Sequence, residues 1–243
     1  MRSSLAVKVA LTAGVALAAI AFVSVTRSVP GTASPSSGFD AVIDDNADRM
    51  VREGRQIFRF DTFGDEVFWG DALHLHQAIA GERNGGVGPG VSPKTALAVG
   101  LKVDLDALPA GLQQQLKAGQ VNLDDPATTL ALLKLNAVVG VTGFFNADGS
   151  IKSLGIQCAF CHSTVDDALA PGIGRRLDGW ANRDLNVGAI VALAPNLKPF
   201  TDLLGVDAAT VKKVLASWGR VVLMPSSTRT ARPSAPTASR PAR

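Results

Sequence analysis

Between residues 39 and 218 the apolar positions recur mostly at helical spacing. In FDAVIDDNADRMVREGRQIFRF, residues 39–60, the positions Ile43, Met50, Ile57 and Phe58 line one side of an amphipathic helix. Residues 60–81 are dense in aromatics and predict a second helix ending at Gly81. A glycine- and proline-rich loop over 81–93 separates it from a short helix within 105–119. Asp125-Pro126 predicts the start of another helix, with aspartate as N-cap and proline at the first helical position. Its continuation, 127–139, is apolar enough to be buried. Residues 140–151, GVTGFFNADGSI, predict a small β-hairpin with Asp148-Gly149 in the turn. Asp207 is placed to cap a last helix, in which Val211, Val214, Leu215 and Trp218 fall on one face. The predicted class is mostly α, with one small β-hairpin.

The two ends differ from this body. Arg2 and Lys8 precede an uncharged apolar run, Val9 to Val25, and a loose stretch rich in Ser and Pro follows Arg27. That order predicts export from the cytoplasm. The small-residue cleavage candidate Gly31-Thr32-Ala33 is poor, so an uncleaved membrane anchor is favoured over a cleaved signal and a soluble periplasmic form. After Trp218 apolar periodicity stops and acids vanish. Residues 219–243 are expected to be either a disordered tail or a stretch read out of frame. A GC-rich back-translation shifted by one base after Gly219 yields a peptide with Asp-Gly turns, aromatics and mixed charge, as a folded domain would have. The expected organisation is a signal or anchor and linker over 1–38, a folded domain over 39–218, and the tail.

Charge changes meaning once the ends are set aside. The whole chain is formally +3, but 1–38 holds three basic residues and 219–243 holds five, with no acids in either. The remaining body has 16 basic against 21 acidic residues, a net of −5. A mildly acidic body argues against nucleic-acid binding.

The chemistry concentrates at residues 158–162, Cys-Ala-Phe-Cys-His, which contain the only two cysteines of the chain. C-x-x-C-H is the attachment pattern of c-type haem. Cys158 and Cys161 are spaced to add to the two vinyl groups of one porphyrin, and His162 to ligate its iron as the proximal ligand. A redox dithiol or half of a zinc site would use the same pair. Zinc needs about four ligands, and the other histidines, His74 and His76, lie far upstream. No G-x-S-x-G, phosphate loop or second cysteine pair is present.

With these residues in view, the chain resembles bacterial exported monohaem cytochromes with a class I cytochrome c-like domain. Glu53-Gly54-Arg55-Gln56-Ile57-Phe58 looks like the first cytochrome helix, in which a glycine permits close crossing by the last helix. Ala170-Pro171-Gly172-Ile173-Gly174-Arg175-Arg176-Leu177-Asp178-Gly179 looks like the family's loop beneath the proximal histidine. The resemblance implies one covalent haem c, a Pro171 carbonyl orienting the His162 ring, and Arg175, Arg176, Arg183 or Trp180 against the propionates. The acidic body suggests a redox partner protein with a basic docking face, with electron exchange slowing as salt rises. The departure from the family is an inserted, largely helical segment of about a hundred residues before the motif.

A low-spin carrier needs a sixth ligand, usually Met or His. Met224 has suitable spacing but lies beyond the composition break. Met50 is read as a packing residue of the first helix. His74 and His76, two apart, cannot share one helix face, and His76 is retained as the weaker second candidate. The leading expectation is an electron-transfer cytochrome of the cell envelope. The alternatives are a peroxidase-like or ligand-binding haem protein and a truncated product. Dihaem peroxidases require two attachment motifs, and this chain has one.

Overall fold

The computed structural model describes residues 38–219. The predicted membrane segment Val9–Val25 and Met224 both lie outside the described residues. The chain divides into Met1–Val51 and Arg52–Arg243. Helix α1, Gly38–Phe60, begins in the first unit and ends in the second, and none of its residues is buried. Its apolar positions Val42, Ile43, Met50 and Ile57 are exposed. Met50 is therefore not a core residue. Among the described residues no helix is long and apolar enough to cross a membrane.

The core lies in the second unit and is built around a hairpin. Strand β2, Val141–Phe145, pairs antiparallel with β3, Ile151–Ile156. The Asp148 carboxylate closes the turn by accepting from the Ser150 backbone N–H at 2.8 Å. A π-helical turn, Val67–Ala72, and helix α2, Leu75–Ala80, pack on β3. Gly70 makes this approach possible, because a Cβ there would overlap Ser153. Helix α3 is Pro93–Ala98, and α4 is Ala110–Lys117. Helix α5, Pro126–Lys134, starts as its sequence predicts: the Asp125 side chain accepts from Ala127 N–H at 2.9 Å. Its buried side, Thr129, Leu132 and Leu133, faces α2 and β2.

The expectation of a mostly α domain does not hold. Of the described residues 51% are helical and 13% lie in strands, and three two-stranded sheets replace the single hairpin. Strand β1, Val103–Asp104, pairs parallel with β5, Ile173–Gly174. Strand β4, Ser163–Val165, pairs antiparallel with β6, Arg176–Asp178. The architecture is a mixture of α and β. These strands are two or three residues long, too short to express a period of two.

The C-terminal helices are α7, Val187–Val191, α8, Lys198–Leu204, and α9, Ala208–Trp218. Asp207 caps α9 through Thr210 N–H at 2.7 Å. Val211 and Leu215 are buried, whereas Val214 and Trp218 are exposed, so only half of the predicted apolar face is used. A glycine does allow a close crossing by this last helix, but it is Gly188 of α7. A Cβ on Gly188 would overlap the Leu215 carbonyl, while one on Gly54 would meet nothing within 4 Å.

Candidate haem-attachment site

Strand β3 delivers the chain into the C-x-x-C-H segment. After it, Gln157 N–H donates to the Gly140 carbonyl at 3.1 Å, and the Gln157 amide donates to the Thr142 hydroxyl. Cys158 then opens a single helical turn, α6, Ala159–His162, closed by His162 N–H donating to the Cys158 carbonyl at 3.1 Å. Successive helical residues are rotated by about 100°. Residues 158, 161 and 162 therefore share one side, and 159 and 160 take the other. Burial follows this division. Ala159 is 0% and Phe160 5% exposed, while Cys158, Cys161 and His162 are all exposed. Both cysteines are free thiols.

The buried side of the turn rests on Gly140. Its φ of +78° is in the left-handed region, and a Cβ built on it would overlap the Phe160 backbone and lie 2.7 Å from the Phe160 Cβ. The loop after β6 clamps the other end. Gly179 N–H donates to the His162 carbonyl at 2.8 Å, and Asn182 N–H to the Cys161 carbonyl at 2.9 Å. Asn182 is itself buried, and its amide donates to the Gly100 carbonyl at 2.9 Å.

The end of α1 and the segment after it are tied to both sides of the motif. On the C-terminal side, fully buried Ser163 donates through Oγ to Asp178 Oδ1 at 2.9 Å. Asp178 Oδ2 accepts from Arg59 at 2.7 Å and 2.6 Å. On the N-terminal side, Asp65 accepts from Ile156 N–H at 3.0 Å, and Thr62 packs where a Cβ on Gly155 would stand. Burial raises Asp65 above the ordinary carboxylate range, against the opposing pull of the Ile156 and Trp69 N–H groups.

The predicted site residues separate into near and far. Trp180 is near, since both residues that clamp the turn flank it, and it is exposed. Pro171 is far. It lies in the loop joining β4 to β5, while Ser163, next to His162, pairs with Asp178 at the other end of the β4–β6 ladder. Among the described residues no hydrogen bond joins Pro171 to His162. Arg176 has a buried side chain that faces a carboxylate, although its Nη1 finds no hydrogen-bond partner among the described residues. Its side chain is 2% exposed, sits 3.0 Å from the Asp104 carboxylate, and lies 5.7 Å over the Phe60 ring. Burial lowers its pKa, and Asp104 opposes that shift. Arg175 is exposed and reaches Asp106 only at 3.8 Å. Arg183 is exposed.

His76 borders a cleft with Ser150, Ile151 and Lys152, at the turn end of the β2–β3 hairpin. Cys158 follows the opposite end, about 20 Å away at some 3.4 Å per strand residue. His76 and His162 are thus not brought to one metal. Partial burial lowers His76 below the ordinary histidine value. His74 lies outside the helix, with φ +57°, and so its ring stacks on His76 with centroids 6.3 Å apart. The expectation that the two rings diverge fails for that reason.

The donor set fits a covalently attached haem. Two free thiols and an imidazole share one solvent-facing side, on a turn whose other side is anchored. Neighbouring protein atoms partly desolvate the solvent-exposed Cys161 thiol and raise it, which favours its protonated form. Among the described residues no group of three or more His, Cys, Asp or Glu converges as a metal cluster. Residues that sequence reasoning missed are Gly140, Asp178, Arg59 and Asn182. Of these, only Gly140 carried a signal, as the glycine that opens the predicted hairpin. Comparison of the chain with protein-family models, curated proteins and solved structures finds no match.

Proposed function

We propose that this chain carries one haem c on Cys158, Cys161 and His162 and transfers electrons in the cell envelope. The observation that supports it most is the division of the motif turn: three haem-competent groups on one exposed side, two anchoring residues buried on the other. Cys158 and Cys161 would each form a C–S bond to one vinyl carbon while the thiol hydrogen goes to the adjacent carbon. That addition needs no oxidant or reductant. The His162 imidazole would hold the iron, which supplies one-electron chemistry. The N-terminal pattern supports export and anchoring by Val9–Val25, and the acidic body a redox partner with a basic docking face.

The test is expression of the full chain with a c-type maturation system. Haem should survive acid–acetone extraction at one per chain, and Cys158→Ala with Cys161→Ala should abolish it. Fully extractable haem, or none, rejects the proposal. Membrane fractionation and the salt dependence of electron exchange then test the anchor and the partner.

A further inference from the structure

A single exposed aromatic needs no explanation by exposure alone, and becomes informative where its place in the fold and its backbone single it out. Phe63 is 70% exposed and Trp180 67% exposed. Each lies in a segment that hydrogen bonds tie to the motif or to residues adjoining it. The 59–65 segment runs from Asp178, bonded to the residue after His162, to Ile156, two residues before Cys158. Its two ends are therefore tied to residues on either side of the motif, and Phe63 lies between those ties with its ring exposed. Trp180 lies between Gly179 and Asn182, which donate to the His162 and Cys161 carbonyls. Phe60, on the same segment, already faces the Arg176 guanidinium, so Phe63 is the ring left over.

The backbone adds a second observation. Phe63 has φ +53°, a left-handed conformation that costs a non-glycine residue about 1–2 kcal/mol. Gly64 beside it is also left-handed, at φ +82°. The segment thus holds a phenylalanine in a strained conformation that exposes its ring to water. Strain of that kind points to a role outside folding.

We infer that Phe63 and Trp180 are the two aromatic walls that cover the haem, a reading that rests on the attachment proposed above. Haem is a flat, largely apolar ring. Attachment at Cys158 and Cys161 would place it over the exposed side of α6, to which residues adjoining both segments are tied. Aromatic rings bury about 150–250 Å² each, which would remove most of the apolar surface left open there.

Hydroxyl-radical footprinting of the full chain, matured with and without haem, tests this. Labelling of Phe63 and Trp180 should fall about fivefold on loading, as expected for two-thirds exposed rings becoming nearly buried. Leu203, 82% exposed on α8, serves as the unchanged reference. Phe63→Gly supplies a second readout, because glycine suits the backbone but lacks the ring. It should raise the Tm of the unloaded chain by about 2–4 °C and lower that of the loaded chain. Unchanged labelling on a chain shown to hold covalent haem overturns the walls and leaves attachment standing. Absence of covalent haem overturns both. Phe63→Gly shifting both forms in the same direction overturns the role of Phe63.

Discussion

Gly140→Ala should strike the platform under the C-x-x-C-H turn without touching Cys158, Cys161 or His162. Gly140 adopts φ +78°, where alanine costs about 1–2 kcal/mol. The added methyl would also overlap the backbone of Phe160, and no rotamer change can move a backbone atom aside. Overpacking of this kind typically costs about 1–3 kcal/mol. The total is about 2–5 kcal/mol, or a Tm lower by some 5–15 °C for a domain of this size. Melting should be followed by circular dichroism on a Cys158→Ser, Cys161→Ser background, so that haem does not contribute. Gly54→Ala is the control. Nothing lies within 4 Å of a Cβ there, and alanine in an exposed helix should stabilise by about 0.5–1 kcal/mol. With the motif intact, Gly140→Ala should also lower the yield of the proposed covalent haem. Melting of Gly140→Ala within about 1 °C of its parent would refute the claim that Phe160 rests on this glycine.

Three further outcomes follow from the charges. Arg176→Ala leaves Asp104, 8% exposed at its side chain, without its cation, and should cost about 3–5 kcal/mol in denaturant melts. Arg175→Ala, at an exposed pair, should cost less than about 1 kcal/mol, and equal losses would refute the distinction. Burial raises Asp65, so the folded chain holds that proton more tightly than the unfolded chain. This contribution is full below the ordinary value of 3.8 and is lost as pH rises through the raised value. Asp65→Asn should therefore cost less at pH 7 than near pH 3.5, and a pH-independent cost would contradict the assignment. For His76 the sign reverses. Its lowered pKa gives stability that is present above 6.5 and lost as pH falls through the folded value. His76→Gln should flatten the melting profile in that acidic range, and an unchanged profile would show His76 to be uncoupled from folding.

Local signals in the sequence proved reliable where a chemical reason operated over a few residues. Asp125 and Asp207 cap helices α5 and α9 as their side chains require. Asp148-Gly149 turns the β2–β3 hairpin, with Gly149 at φ +85°. Expectations that joined distant segments fared worse. The pairings Val103 with Ile173 and Ser163 with Asp178 link residues far apart or in strands of two or three residues, and no window of hydrophobic periodicity contains them. The family resemblance puts the glycine of the last-helix crossing at Gly54, whereas the structure has it at Gly188. A close crossing needs a missing Cβ, but many glycines satisfy that locally, and only the packing of α9 chooses among them.

The same contrast explains the arginines. Arg175 and Arg176 are neighbours of identical type in one loop, and a sequence offers no ground for ranking them. The strand alternation of β6 decides. Arg176 opposes Val165 and turns inward to Asp104, while Arg175, between β5 and β6, remains exposed. Asp178, two residues further along β6, recurs on the side of Arg176 by the strand's period of two. It binds Arg59 and Ser163 there, so the charged pairs on β6 stabilise the ground beneath His162. In the C-x-x-C-H segment, by contrast, the spacing alone sets which side chains share a face once a helical turn forms. Folding then adds a single decision, which side of that turn meets the core. Ala159 and Phe160 are the two apolar residues without haem chemistry, and burying them leaves Cys158, Cys161 and His162 together in solvent.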